Sequence, residues 1–184
     1  MSALNSLKGW LIKLAGGALA VALAAGLALV PAYAASDAAS SAVTGPAAGT
    51  PPPTLNQALT NIYQREQTWL SIQSNTLTDA NTIAVNAQNW INTLKGQGKD
   101  TSALSTALAA FNAQVAAAQT GHDTASNILS GHAGFDNNGQ VTDRGQAITT
   151  LRTAFQSLQS AHLTLLSVAV NLRLAVRNWI NANS

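Results

Sequence analysis

The sequence contains no cysteine among its 184 residues. This absence excludes disulfide bonds, thiolate zinc sites, thiol nucleophiles and the lipid-modified cysteine of a lipoprotein. Charged residues are also scarce, at 9% of the chain, against about 25% in an ordinary soluble protein. Asn, Gln, Ser and Thr supply the polar surface instead, which is consistent with a protein that works outside the cytoplasm.

The net charge of +2 comes from the N-terminal end of the chain. Nine Lys and Arg residues stand against seven Asp and Glu residues, but Lys8 and Lys13 lie in a segment that has the features of a secretory leader. Without that segment the basic and acidic side chains are equal in number. The charge balance therefore gives no reason to expect a nucleic-acid partner.

Residues 1–34 follow the plan of a secretory signal peptide. Two lysines precede an apolar stretch over residues 14–30, and Ala32-Tyr33-Ala34 matches the small-x-small pattern that signal peptidase recognises. We expect cleavage after Ala34. The alternative is an uncleaved membrane anchor, because the apolar stretch is at the short end of the lengths that span a bilayer. Both routes predict a secreted or cell-envelope protein of bacterial type.

Residues 35–53 are rich in Ala, Ser and Pro and contain no large apolar residue except Val43. A segment of this composition cannot offset its ordering entropy by burying side chains. The sequence therefore predicts a flexible linker between the leader and the rest of the chain.

Large apolar residues recur from Leu55 onward at alternating steps of four and three, and these seams include Ile62 in the first run and Ile148 in the third. An average spacing of about 3.5 residues is typical of helices that pack along one seam. Thr54 is placed to cap the first helix, and Gly96-Gln97-Gly98 is placed to end it. Two further runs follow, so the sequence predicts helices at about residues 54–95, 101–133 and 143–183.

Short connections between three such helices predict an all-α fold over residues 54–184, an elongated antiparallel three-helix bundle of the coiled-coil type. The alternative is a four-helix bundle in which the first helix is broken near Asn75, where helix propensity is poor. The narrow core of a three-helix bundle leaves little room for a deep pocket. This geometry argues against an enzyme that acts on a small molecule.

Polar residues interrupt the predicted seams at five positions, and these form the predicted polar core: Glu66, Gln73, His122, His132 and His162. Pairing the helices about their turns puts Glu66 level with His132, and Gln73 level with His122. Glu66 and His132 are therefore candidate ligands for a divalent metal, although a zinc site needs three or four protein ligands. Two other roles stay open. Buried polar residues fix helix register, and seam histidines that charge below about pH 6.5 would loosen the bundle.

The segment 134–143 superficially resembles a calcium-binding loop. An EF-hand loop needs glycine at its sixth position and glutamate at its twelfth, whereas here Gly139 follows too soon after Asp136 and no glutamate comes later. The sequence therefore predicts a helix–helix turn, with positive φ at Gly139 and with Thr142 or Asp143 as the cap of the last helix.

No catalytic motif is present in the sequence. There is no nucleophile elbow, no pair of glycosidase acids and no phosphate-binding loop. Trp69, Trp90 and Trp179 fall at seam spacing, so we expect them to pack in the core instead of stacking on a sugar.

These observations together predict an exported structural or protein-interaction module with no catalytic activity and no cofactor. A protein partner or self-association is expected, and contact with a membrane only through an uncleaved leader. The alternative is an extracytoplasmic metal- or pH-responsive binding protein that uses the seam histidines and Glu66.

Overall fold

The protein's computed structural model describes residues 54–183. In this part of the chain there are three α-helices and no strand: α1 (Leu55–Gly96), α2 (Ser102–Ser130) and α3 (Arg144–Ala182). They pack against one another as a three-helix bundle, which confirms the predicted fold class. Within the same residues no helix has the length and apolar character needed to cross a membrane. The predicted leader and linker lie outside the described residues.

Contacts between the helices give their directions. The Tyr63 hydroxyl donates to the carbonyl of Leu129, and seven residues later on α1 the Leu70 carbonyl lies 3.2 Å from Nε2 of His122. The two helices therefore run antiparallel. Asn56, near the start of α1, accepts a hydrogen bond from Arg144 at the start of α3, so α1 and α3 run in the same direction.

The first helix is unbroken over 42 residues, so the four-helix alternative is wrong. Thr54 and Gln57 form a capping box at its start, as the cap prediction requires. In the stretch of poor propensity the threonine hydroxyls bond to carbonyls of the preceding turn, as Thr76 does to Ile72 at 3.0 Å. Leu77 and Ala80 are buried there, and this burial offsets the weak local propensity.

The second helix ends at Ser130, earlier than the predicted end near residue 133. His132 and Gly134 both adopt positive φ, which ends the helix and reverses the chain. Phe135 then enters the core and stacks on Tyr63, with ring centroids 4.4 Å apart. The helix ends early because this turn allows Phe135 to be buried.

The second connection, which joins α2 to α3, is the predicted helix–helix turn. The Asp136 carboxylate accepts hydrogen bonds from the backbone N–H groups of Asn138 and Gln140, both at 2.8 Å. Gly139 has φ +75°, and Asp143 caps α3 by accepting from the N–H of Gln146 at 2.9 Å. The positive φ of Gly139 is confirmed, and of the two predicted caps, Thr142 and Asp143, Asp143 is the one that caps α3.

Helices α2 and α3 form the most extensive contact of the bundle. Small residues make this approach possible, and Ala118, Ala125, Ala154 and Ala161 are all buried there. At Gly121 a Cβ atom would lie 3.2 Å from the Cβ of Ala161. Larger side chains of α1 pack over this pair of helices.

Apolar residues form two core clusters, one toward each end of the bundle. The larger cluster surrounds Phe111, Leu165 and Leu172, and the smaller one surrounds Tyr63, Leu129 and Leu151. Tyr63 was not on the predicted seam. It is buried where the seam had placed Ile62, which is half-buried. Ile148, also assigned to a seam, is exposed, and α3 buries Ala147 in its place.

We predict that Gly134→Ala lowers the free energy of unfolding by about 2 kcal/mol or more. Gly134 has φ +85°, and a Cβ atom there would overlap the backbone of Ala147. Gly96→Ala is the matched control, because nothing lies within 4 Å of the added atom and its φ is not positive. Urea unfolding of both variants is the measurement. Equal stabilities would contradict the close approach at Gly134.

Candidate functional site: the buried polar layer

Besides Thr76, whose hydroxyl bonds to the Ile72 carbonyl within α1, three buried polar side chains lie where the two apolar clusters meet. We call them the polar layer: Glu66 and Gln73 from α1 and His162 from α3. Their exposed fractions are 5%, 3% and 6%. All three were predicted from the seam pattern. On α1 the apolar clusters resume at Tyr63 on one side of Glu66 and Gln73 and at Leu77 on the other, so the layer separates the two clusters along that helix.

Gln73 ties α1 to α3. Its Nε2 donates to the carbonyl of Leu158 at 3.1 Å, one turn before His162. The Trp69 ring, one turn before Gln73, lies 6.0 Å from the His162 ring in an edge-on arrangement. Neither Oε1 of Gln73 nor Nε2 of His162 has a hydrogen-bond partner. The two unpartnered atoms share one region of the α1–α3 contact.

Glu66 is a carboxyl group held away from water. Its Oε2 is buried without a hydrogen-bond partner, and burial raises its pKa from 4.5 to about 8, because the charged form loses its hydration. The carboxyl group is therefore mostly protonated near neutral pH. A neutral carboxyl group is a weak metal ligand, since metals bind the carboxylate form.

Burial shifts the pKa of His162 in the direction opposite to that of Glu66. Loss of hydration lowers the pKa of its imidazole, because the charged form of a base is the one that burial disfavours. The ring is therefore neutral under ordinary conditions. The polar layer as a whole is uncharged near neutral pH.

His122 lies at the edge of the bundle and is only half-buried. Its Nδ1 is 3.2 Å from Oδ1 of Asp123, and its Nε2 is 3.2 Å from the carbonyl oxygen of Leu70. The His122 ring therefore contacts its own helix and α1. The sequence had placed His122 level with Gln73, and the contact lies about one turn earlier on α1.

His132 lies outside α2, in the turn. Its Nδ1 is 2.7 Å from the carbonyl oxygen of Ser130, and its ring centroid is 5.9 Å from that of Tyr63. Tyr63 is already level with Leu129, so Glu66, further along α1, faces the part of α2 between His122 and Leu129. Glu66 and His132 are therefore not brought to one level.

A metal site at Glu66 and His132 stays a prediction that no contact supports. Among residues 54–183 no group of three or more His, Asp or Glu side chains is arranged to hold a metal ion. Arg144 donates from Nε to Oδ1 of Asn56 at 2.6 Å.

The tryptophans differ in their burial. Trp179 is buried, as predicted, and its Nε1 donates to the carbonyl of Asp100 at 2.7 Å, which ties the end of α3 to the first connection. Trp90 packs edge-on against Trp179 at 5.7 Å, but Trp90 and Trp69 are only half-buried. These two rings lie on α1 at the boundary between the core and the solvent.

Comparisons with protein-family models, curated proteins and solved structures found no match to this chain. The function must therefore be argued from the residues. Chemically, the polar layer offers a neutral carboxyl group, an amide and a neutral imidazole, all shut off from solvent. Such groups can fix helix register and can titrate, whereas general acid–base catalysis needs contact with a substrate.

We predict that Glu66 makes stability fall as pH rises. Below about pH 4.5 the carboxyl group is protonated in both the folded and unfolded states, and between 4.5 and about 8 only the folded state keeps the proton. Over that range the free energy of unfolding should decrease by up to about 1.4 kcal/mol per pH unit. Above about pH 8 the free energy of unfolding no longer decreases through Glu66.

The measurement is urea unfolding of the wild type and Glu66→Gln near pH 5, 7 and 9. Glutamine has a similar shape and no proton to lose, so the variant should gain stability relative to the wild type as pH rises. His162 contributes the opposite slope below about pH 6.5, where the unfolded chain binds a proton that the folded chain does not. The wild type and Glu66→Gln both contain His162, so both show this slope. Parallel pH profiles would show that Glu66 ionises freely in the folded state.

Proposed function

We propose that this chain is an exported, non-catalytic helical module that acts by binding a protein partner or a second copy of itself. The observation that carries the proposal is a set of aliphatic side chains left on the outer faces of a closed bundle. Val85 and Leu55 on α1 are 61% and 49% exposed, and Ile148 on α3 is 39% exposed. In a chain with so few charges, such side chains favour contact with another macromolecule.

The small volume of a cavity in the described bundle supports a role without catalysis. A cavity of about 60 Å³ lies between α2 and α3 and is lined by Phe111, Gln114, Val168, Leu172 and their neighbours. Ligand pockets usually measure about 300–1,000 Å³. The cavity has room for a few water molecules, and Oε1 of Gln114 is an unpartnered buried acceptor of the kind that internal water satisfies.

Export is supported by the leader pattern of residues 1–34 and by the linker composition of residues 35–53. A linker of this kind lets a folded module reach a partner while its other end is held elsewhere. The proposed location is therefore the cell envelope or the medium.

A pH-responsive module is the second candidate, and the burial of Glu66 and His162 is the observation that favours it. The metal-responsive version depends on Glu66 and His132. It is tested by thermal melts with zinc and with EDTA. A zinc-dependent rise in melting temperature that is lost in both Glu66→Ala and His132→Ala would support that version, and we expect no such rise.

Photo-crosslinking in the cell envelope tests the proposed function. A photoreactive amino acid is placed singly at Val85, Asn112 or Ile148, one exposed position on each helix. We expect a protein adduct from at least one position, and its mass separates self-association from binding to another protein. The buried position Leu165 is the control and should give no adduct. Absence of protein adducts from all three exposed positions would overturn the proposal.

A further inference from the structure

The charges of α3 all have one sign. Its residues include Arg144, Arg152, Arg173 and Arg177 and no Asp or Glu. The acidic residues of the described chain lie on the other two helices and in the connections: Glu66, Asp79, Asp100, Asp123, Asp136 and Asp143. The basic and acidic residues are therefore equal in total but unevenly distributed, and α3 is a basic helix. Its positive charge is concentrated on one element of the bundle.

Arginines and aliphatic residues of α3 lie along one line of the helix. Leu163, Val170, Leu174 and Arg177 follow Arg152 by close to whole numbers of helical turns, and all five side chains are exposed. We call these five residues, together with the exposed Arg173 beside them, the basic-apolar face. It extends over about 37 Å of helix at a rise of 1.5 Å per residue.

The basic-apolar face has no partner within the bundle. No carboxylate of residues 54–183 pairs with Arg152, Arg173 or Arg177, and Leu163, Val170 and Leu174 are 53%, 55% and 44% exposed. These side chains lie on the side of α3 opposite Leu158, Leu165 and Leu172, which are buried. The face is therefore an outward ridge of the bundle that leaves both aliphatic carbon and positive charge in water.

The chemistry of the face limits what can cover it. The partner must offer apolar contact and negative charge together along the ridge. A nucleic-acid backbone offers phosphates, but it would leave the leucine and valine side chains without apolar contact. An acidic protein helix would dock into a groove between helices, where its side chains are enclosed. An anionic bilayer surface fits the ridge, because it places phosphates directly above hydrocarbon.

We propose that the basic-apolar face of α3 docks on an anionic lipid surface, with Leu163, Val170 and Leu174 in the interface and the arginines at the phosphates. Arginine side chains suit this position, since their aliphatic stems follow the apolar side chains while the guanidinium groups reach the phosphate oxygens. Docking through α3 brings its arginines to the lipid. The exposed Asp123 belongs to α2 and is not part of this face. This inference goes beyond the proposed function, because its partner is a lipid and not a protein.

Vesicle co-sedimentation tests the proposal. The probes are vesicles of equal parts phosphatidylglycerol and phosphatidylcholine, compared with vesicles of phosphatidylcholine alone. The protein begins at Ala35, because an uncleaved leader would bind vesicles by itself. Every contact described for the bundle lies within residues 54–183, so this form retains all of them. We expect binding to the anionic vesicles only, and weaker binding at higher salt.

Two triple variants separate the contributions of charge and apolar contact. Replacing Arg152, Arg173 and Arg177 by Gln should weaken binding about fivefold per arginine, or roughly a hundredfold in total. Replacing Leu163, Val170 and Leu174 by Gln should weaken it at least about tenfold. The control is Val85→Gln, an exposed aliphatic position on α1, which should bind as the wild type does. Circular dichroism melts verify that each variant is folded.

Absence of cysteine from the chain allows an independent measurement. Leu163→Cys and Val85→Cys are each labelled with an environment-sensitive fluorophore. With anionic vesicles the label at position 163 should shift to the blue and the label at 85 should not. The proposal is overturned if the wild type does not bind, if it binds both kinds of vesicle equally, or if either triple variant binds normally. Equal shifts at both labels, or a shift with duplex DNA in place of vesicles, would also overturn it.

Discussion

The close approach of α2 and α3 is the constraint on which the rest of the bundle depends. Gly121 meets Ala161 at a distance that leaves no room for a larger side chain without displacement, and buried alanines continue the contact in both directions. Around Gly121 the two helices enclose little volume between them. The third helix must therefore complete the core with large side chains, as α1 does with Tyr63 and Leu77. The packing of α1 therefore depends on the close contact between α2 and α3.

The polar layer is costly in such an interior. Burial keeps Glu66 protonated and His162 neutral, and both leave an atom without a hydrogen-bond partner, which costs about 1–3 kcal/mol for each such group. Apolar side chains would avoid this cost. One direct gain is specificity, because the bond from Gln73 to the Leu158 carbonyl is made in a single register of α1 against α3. A bundle of uniform heptads has few other features that prevent its helices from sliding by a turn.

Local patterns were sufficient to predict the helices, the caps at Thr54 and Asp143 and the turn at Gly139, because each depends on residues close together in sequence. The polar core was predicted in part, since seam spacing identifies buried positions and does not identify partners. The pairing of Glu66 with His132 assumed that α2 continues through residue 132. Burial of Phe135 against Tyr63 ends the helix sooner, and that contact joins residues far apart in sequence. Summing charges over the whole chain likewise concealed the basic character of α3.

Because the inner side of α3 is packed in the bundle, its outer side is a preformed binding surface. Its inner side is fixed by close packing on α2, so the positions of the outward arginines and aliphatic residues are set before any partner arrives. A free amphipathic peptide must fold as it meets a membrane, and the entropy of ordering its backbone weakens its binding. The preformed ridge of α3 avoids that cost. A face with only three aliphatic side chains can then dock reversibly, because the little apolar area it buries does not also have to offset the cost of folding a helix.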